Sequence, residues 1–461
     1  MFGQILIPNA VIMTLCDLTS VSKHLVFIKT DMYRQDWTIN LLIIYLLLQI
    51  NIIFVTTANE EIQLPRCKHI SPYKELVSYC YVVFSIYNFI FKKKLYMYQE
   101  RELWKFGTTN FAFDMLASDR LGPIRNIGNQ AHHLCQNTTF HGSFPTSIVI
   151  IHHNEALSTL LRMIIGIIDR TPPELLHELI IYEDASDDEH RLTEHLQRFV
   201  KTNTSNTNII IIRSDERQGL IRAKTLASRQ ATGEVIVFLD SHCEVSDRWL
   251  EPLLAPIMEN PNSIVLPIVD LIHPLTFEYS KAMIAKSGFD WALSFKWIYL
   301  PWEYFDVVEN NIRPFESPSM SGGLLAVRRK FFQDLGEYDI GMEIWGGENV
   351  ELSLKAWMCG GRVVVAPCSR IGHVFRIRRP YKSKPGLDTN LYNSIRVAKT
   401  WLGKYEKYFM QARPAAQKMD YGDISTGLKL KEKLKCKDMQ WFLENIYPDL
   451  IPEKNNRKDE L

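Results

Sequence analysis

Asp240 and His242 stand two residues apart at the end of an apolar run, in the stretch EVIVFLDSHCE that spans residues 234–244. A carboxylate oxygen and an imidazole nitrogen projected from one turn make a compact half-site for a divalent metal. At the carboxyl end of a sheet strand, where open α/β sheets bind ligands, such a pair points to metal-assisted chemistry. The same two residue types also cap ordinary turns.

Three later segments carry chemistry of their own. Ser321-Gly322-Gly323 precedes the apolar run 324–327, and paired glycines let the backbone approach a ligand closely. An ordinary hairpin turn is the other reading. Trp345-Gly346-Gly347-Glu348-Asn349 brings a stacking ring, a carboxylate and an amide to the start of a helix running through Ser353, a set suited to a sugar. The stretch RIGHVFR (residues 370–376) offers His373 as a third metal ligand beside a cation, with Pro380 and Tyr381 following.

Alternating strands and helices must position these groups. Residues 147–151 read as a strand leading to His152-His153-Asn154-Glu155, and 157–168 have helical spacing. A second strand over 178–182 ends at Glu183-Asp184; 189–200 is helical and 208–212 is a third strand. After Arg217-Gln218-Gly219 a helix covers 220–229, and Gly233 leads into the strand before Asp240. Repeated βα units predict an α/β fold with a mostly parallel sheet flanked by helices. No GxGxxG follows the first strand, which excludes the dinucleotide fingerprint. The acidic ends of the second and fourth strands instead suit a nucleotide held through metal and base contacts.

Among the 461 residues, 53 basic and 52 acidic side chains leave a net charge of +1, so no nucleic-acid partner is expected. Residues 39–55, INLLIIYLLLQINIIFV, approach with their flanks the roughly 20 residues of a membrane span. Lys23, Lys29 and Arg34 before it and Glu60 and Glu61 after it orient the N-terminus to the cytoplasm and the bulk of the chain to the lumen. A buried helix is the alternative. A shorter apolar run, 76–91, ends in three lysines and reads as a stem or membrane-surface segment. Lys458-Asp459-Glu460-Leu461 has the form of a luminal retrieval signal, whose partner is the KDEL receptor. A luminal chain can form disulfides and accept N-glycans at Asn137-Thr138-Thr139 and Asn203-Thr204-Ser205. With no CxxC pair, a structural zinc site is not expected.

The motifs PTSIVIIHHNEA, GLIRA, FLDSHCE, GFDW, SGGLLAV, WGGEN, GHVFR and CKDMQWFLENIYPDL, in this order, resemble the polypeptide N-acetylgalactosaminyltransferases across about 110–452. That family begins mucin-type O-glycosylation in the Golgi membrane. The resemblance implies a GT-A fold and transfer of N-acetylgalactosamine from UDP-GalNAc to Ser or Thr of polypeptides, with retention and with Mn²⁺ bridging the diphosphate. It implies Asp240, His242 and His373 as metal ligands, Asp184 at the uracil and Arg217 in the nucleotide pocket. Arg376 and Tyr381 correspond to holders of the diphosphate beneath a mobile loop. Gly322, Gly323, Glu348 and Asn349 line the sugar and catalytic region, Trp345 stands on a gating loop, and Phe295, Trp297 and Phe375 form the aromatic wall of the peptide groove. The family's disulfides map to Cys135–Cys368 and Cys359–Cys436, leaving Cys243 free.

The implied organisation is a cytoplasmic segment (1–38), a signal anchor (39–57), a stem (58–134), a GT-A domain (135–452) and a charged KDEL tail (453–461), with no ricin-type lectin domain. Five positions depart from the family pattern, beginning with Ile151-His152 where the family has Thr-Phe before His-Asn-Glu. Ile151 stands where the nucleotide pocket carries a hydroxyl, a lost hydrogen bond worth on the order of 1 kcal/mol. Ser321 adds a polar group beside the donor sugar, and Glu183 and Glu343 replace Asp. These departures keep two rivals open: a catalytically weak member that binds a partner in the secretory pathway, and a transferase for another UDP-sugar.

Overall fold

The computed structural model describes residues 98–203, 207–381 and 383–452. The expected anchor, the apolar run 76–91, Thr204 and Ser205 of the second sequon, and the KDEL tail lie outside these residues. Among the described residues no helix is long and apolar enough to cross a membrane.

The βα alternation is present. Strand β1 (Thr146–His152) leads to helix α1 (Leu157–Arg170), and β2 (Leu176–Asp184) to α2 (Thr193–Asn203). Strand β3 (Ile209–Ser214) leads to α3 (Leu220–Ser228), and β4 (Val235–Asp240) ends the series. Every residue of β1 is buried, because helices cover both sheet faces. Alternation then sorts its side chains: Val149 and Ile151 join one core, Ile148 and Ile150 the other. Each such burial contributes about 1.5–3 kcal/mol.

Helix α2 begins at Thr193, four residues later than its spacing predicts. The Glu183 carboxylate, at the end of β2, accepts from the backbone N–H groups of Leu192 (3.2 Å) and Thr193 (3.1 Å) and from the Thr193 hydroxyl. A tertiary cap thus sets where the helix starts.

The remaining strands are β5 (Cys243–Val245), β6 (Ser263–Ile272), β7 (Tyr279–Ser280), β8 (Ala285–Phe289), β9 (Phe295–Tyr299), β10 (Phe315–Glu316), β11 (Leu325–Arg328) and β12 (Arg362–Val374). The main sheet runs β10-β12-β6-β11-β4-β1-β2-β3, with β5 pairing β12 and β7 pairing β6; β8 and β9 form a separate hairpin. The sheet is mixed rather than mostly parallel. Pairs β1–β2, β1–β4, β2–β3 and β6–β12 are parallel, whereas β11 is antiparallel to both β4 and β6. The chain re-enters the sheet through Gly322-Gly323 at the carboxyl edge of β4, so β11 has to run the other way. Strands β1, β2, β4, β6 and β12 keep one direction, and their carboxyl ends share an edge.

Helix α4 (Glu251–Glu259) covers β6 and β12, and helix α5 (Glu348–Met358) starts after Gly347, whose φ of 84° suits glycine. Disulfides join Cys135 to Cys368 and Cys359 to Cys436, as the resemblance implied, and Cys243 is free and buried.

Candidate active site

Asp240 ends β4 at the shared edge. Three residues on, β5 begins and runs antiparallel to the end of β12, pairing Cys243 with His373. Val374 N–H donates to the His242 carbonyl at 3.2 Å. This pairing, more than sequence proximity, brings the three expected ligands together. The His242 and His373 rings lie 4.7 Å apart, and His373 Nε2 is 3.4 Å from Asp240 Oδ2. From the other side comes Gly323: a Cβ there would stand 1.9 Å from Asp240 Oδ2. The glycine makes room for the carboxylate.

Beneath them lies Lys224, 1% exposed, whose ammonium donates to the Gly323 carbonyl at 3.1 Å and stands 4.0 Å from Asp240 Oδ1. Burial resists ionisation of Asp240, but the His373 hydrogen bond and the Lys224 charge outweigh it and hold the carboxyl well below its ordinary range. Sequence reading passed over Lys224. Its signal was helical spacing, since Ile221, Lys224, Thr225 and Ser228 share the buried face of α3.

Glu155 was also missed. It follows Asn154, which turns the chain at a φ of 48°, and is 2% exposed. Its Oε2 accepts from Ser241 Oγ at 2.5 Å and Arg376 Nη2 at 2.6 Å, and lies 3.0 Å from His242 Nδ1. Its Oε1 accepts from the Ala156 N–H at 3.0 Å. Burial pushes Glu155 up, yet Arg376 first and then His242 and Ser241 keep it ionised well below the usual range. Burial, reinforced by Arg376, lowers His242 to about 4, so its ring is neutral at neutral pH.

The residues expected on the nucleotide side gather near the ends of β1 and β2. Asp184 is fully buried; it accepts from the Gln218 N–H (2.7 Å) and the Gly219 N–H (2.9 Å) and pairs with Arg217. It therefore shapes the Arg217-Gln218-Gly219 loop at the start of α3. His153 Nδ1 lies 2.8 Å from the Asp184 carbonyl, and burial followed by Arg217 lowers this histidine to about 4. Ile151 packs into the core beside Tyr182, in register with Asp240. The Tyr381 ring has two guanidiniums nearby, those of Arg217 and Arg379, each 5.7 Å from its centroid. Arg379 also lies 5.4 Å from the Trp345 ring.

At the start of α5, Glu348 accepts from the Gly346 N–H at 2.7 Å, and Asn349 Nδ2 donates to the Met320 carbonyl at 3.1 Å. Burial raises Glu348, with Lys224 opposing. Trp297, Phe375 and Ser321 line a cavity of about 300 Å³ together with Met283 and Tyr299. Phe295 meets Trp297 edge-on at 4.9 Å and does not itself line this cavity. Of the other departures, Glu183 caps α2, and Glu343 pairs with Arg222 at 2.8 Å.

Among the described residues no three His, Cys, Asp or Glu side chains stand as a ready-made metal cluster. The donor chemistry still fits a divalent ion: an ionised carboxylate, a neutral imidazole bonded through Nδ1, and a second imidazole, His373, whose buried Nδ1 has no partner.

Comparison with known proteins follows the same lines. Glycosyl transferase family 2 matches residues 147–336, and the N-terminal domain of galactosyltransferase matches residues 304–380. The chain is 59% identical over 402 residues to Probable N-acetylgalactosaminyltransferase 8 of Caenorhabditis elegans, covering 87% of this chain and 95% of that protein. It is 43% identical over 361 residues to Polypeptide N-acetylgalactosaminyltransferase 11 of Xenopus tropicalis, covering 78% of this chain but only 60% of that protein. A crystal structure of GalNAc-T7 with UDP, GalNAc and Mn²⁺ superimposes with a TM-score of 0.70 at 34% identity, covering 76% of this chain and 65% of that one.

Proposed function

This chain belongs to the polypeptide N-acetylgalactosaminyltransferase family, and from that premise we propose that it transfers N-acetylgalactosamine from UDP-GalNAc to Ser or Thr hydroxyls of polypeptides. The supporting observation is the cluster at one sheet edge: Asp240 3.4 Å from His373, His242 beside them, and Arg376 bound through Glu155. Asp240, His242 and His373 would hold the metal. A divalent ion held there, Mn²⁺ in this reading, would supply positive charge to offset that of a departing diphosphate. Arg376, whose Nη2 lies 3.0 Å from His242 Nδ1, would supply a second positive charge beside it, meeting the chief electrostatic demand of the step.

Asp184, His153 and Arg217 bound the nucleotide side, and Tyr381 with Trp345 closes over it to exclude water. Glu348 and Asn349 shape the sugar side. One Glu348 oxygen is taken up by the Gly346 N–H, which argues against a carboxylate nucleophile. The acceptor hydroxyl then attacks the anomeric carbon from the face the phosphate leaves, the bond to the phosphate breaks, and the departing phosphate takes the hydroxyl proton, which gives retention. The apolar cavity beside Trp297 and Phe375 is where the acceptor peptide would lie. Residues 135–452 form the GT-A catalytic domain in this reading, with a stem over 58–134 and a single-pass anchor over 39–57 in the Golgi membrane. The two disulfides support a luminal setting, where KDEL-mediated retrieval would operate.

The test is incubation of the purified protein with UDP-GalNAc, Mn²⁺ and Ser/Thr-rich peptides, with products read by mass. A metal-dependent gain of one HexNAc on Ser or Thr is expected. Transfer from another UDP-sugar alone would reassign the donor, and folded protein that binds UDP and Mn²⁺ without transfer would mark a non-catalytic partner.

A further inference from the structure

The Glu155 carboxylate lies 86 residues from Ser241 and 221 from Arg376 along the chain, yet one of its oxygens meets three side chains. Ser241 Oγ and Arg376 Nη2 are donors at 2.5 and 2.6 Å. The third neighbour, His242 Nδ1, lies 3.0 Å from Glu155 Oε2 and also 3.0 Å from Arg376 Nη2. These two contacts demand opposite tautomers. Toward Glu155 the nitrogen must carry a proton, which leaves Nε2 with its lone pair. Toward Arg376 it must accept one, which puts the proton on Nε2 and removes that nitrogen as a ligand.

We propose that Glu155 is a positioning residue that selects the Nδ1–H tautomer of His242 and stations Arg376 beside the metal site. The proposal rests on the functional reading above. A buried anion accepts from an imidazole N–H far better than a cation's N–H can share the same nitrogen, so the carboxylate wins the competition. It also turns a repulsive neighbour into a useful one: Arg376 is drawn to Glu155 and kept beside His242 without taking its lone pair. Both oxygens are occupied by protein donors, so Glu155 is free neither to bind a metal nor to act as a base. Its influence passes through His242 and Arg376.

The full chain, with ¹⁵N-labelled histidine and no metal, tests this directly by long-range ¹H–¹⁵N NMR of the imidazoles. His242, identified by its loss in His242→Ala, is expected as the Nδ1–H form. Finding the Nε2–H form in this unmutated protein would overturn the proposal, whatever any variant does. Glu155→Gln is expected to shift the ring toward Nε2–H and to weaken Mn²⁺ binding, followed by electron paramagnetic resonance, by about 10- to 100-fold. Glu155→Asp, which keeps the charge on a shorter arm, should recover part of that loss. If Glu155→Gln melts like the unmutated protein and binds Mn²⁺ within about twofold of it, the residue merely packs. Absence of Mn²⁺ binding by the unmutated chain would count instead against the functional reading, leaving the tautomer measurement to judge Glu155.

Discussion

At the residue scale the site is a set of charges that keep one another ionised or neutral as required. Asp240 is held as an anion by His373 and Lys224, and His242 is kept neutral by burial and by Arg376. Asp240→Ala should therefore abolish metal-dependent transfer while the fold persists. Near-normal turnover at saturating Mn²⁺ would remove Asp240 from the ligand set. Asp240 and His242 were legible because they share one turn. Glu155 and Lys224 were not, because a charged side chain near a motif reads as exposed until packing shows what it meets.

At the element scale, the turn that feeds β11 and the start of α5 decide how closely backbone and side chains approach. Gly323→Ala would set a methyl group against Asp240, where 1.9 Å is far inside contact distance. We expect a loss of at least about 100-fold in kcat/KM, from displacement of order 1 Å at the reacting centre. A folded Gly323→Ala protein with unchanged kinetics would show that the turn can retreat freely. In α5, burial raises Glu351 to about 7, against its ion pair with Lys355 at 2.6 Å. Between the ordinary value near 4.5 and about 7, the folded state keeps a proton that the unfolded state releases. Stability from this group is thus full below that window and falls as pH rises through it, by on the order of 1–3 kcal/mol. Urea unfolding between pH 5 and 8 should show that slope, and Glu351→Gln should flatten it; an equal slope in both proteins would contradict the assignment.

At the scale of the whole molecule, two disulfides tie distant parts of the chain to β12 and to the residue that caps the end of α5. Cys359–Cys436 closes 77 residues and holds the segment that carries the buried Met439, Phe442 and Leu443 against the core. Cys436→Ser should cost about 2–5 kcal/mol, measured as a shift in the unfolding midpoint. A midpoint unchanged from the disulfide-bonded protein would mean that packing alone holds this segment. By itself the sequence determined the βα series up to β4, the families of side chains at the site, and the cysteine pairs implied by its resemblance. These rest on local spacing, on hydrophobic period, or on motifs a few residues long. Tertiary structure alone decided the reversed β11 and the resulting mixed sheet, the late start of α2 beneath Glu183, and the pairing of β5 with β12 that sets His242 beside His373. It also decided the meeting of Glu155, His242 and Arg376. Each depends on contacts between segments far apart in the chain, and no periodicity along the chain encodes which distant donor will meet which acceptor.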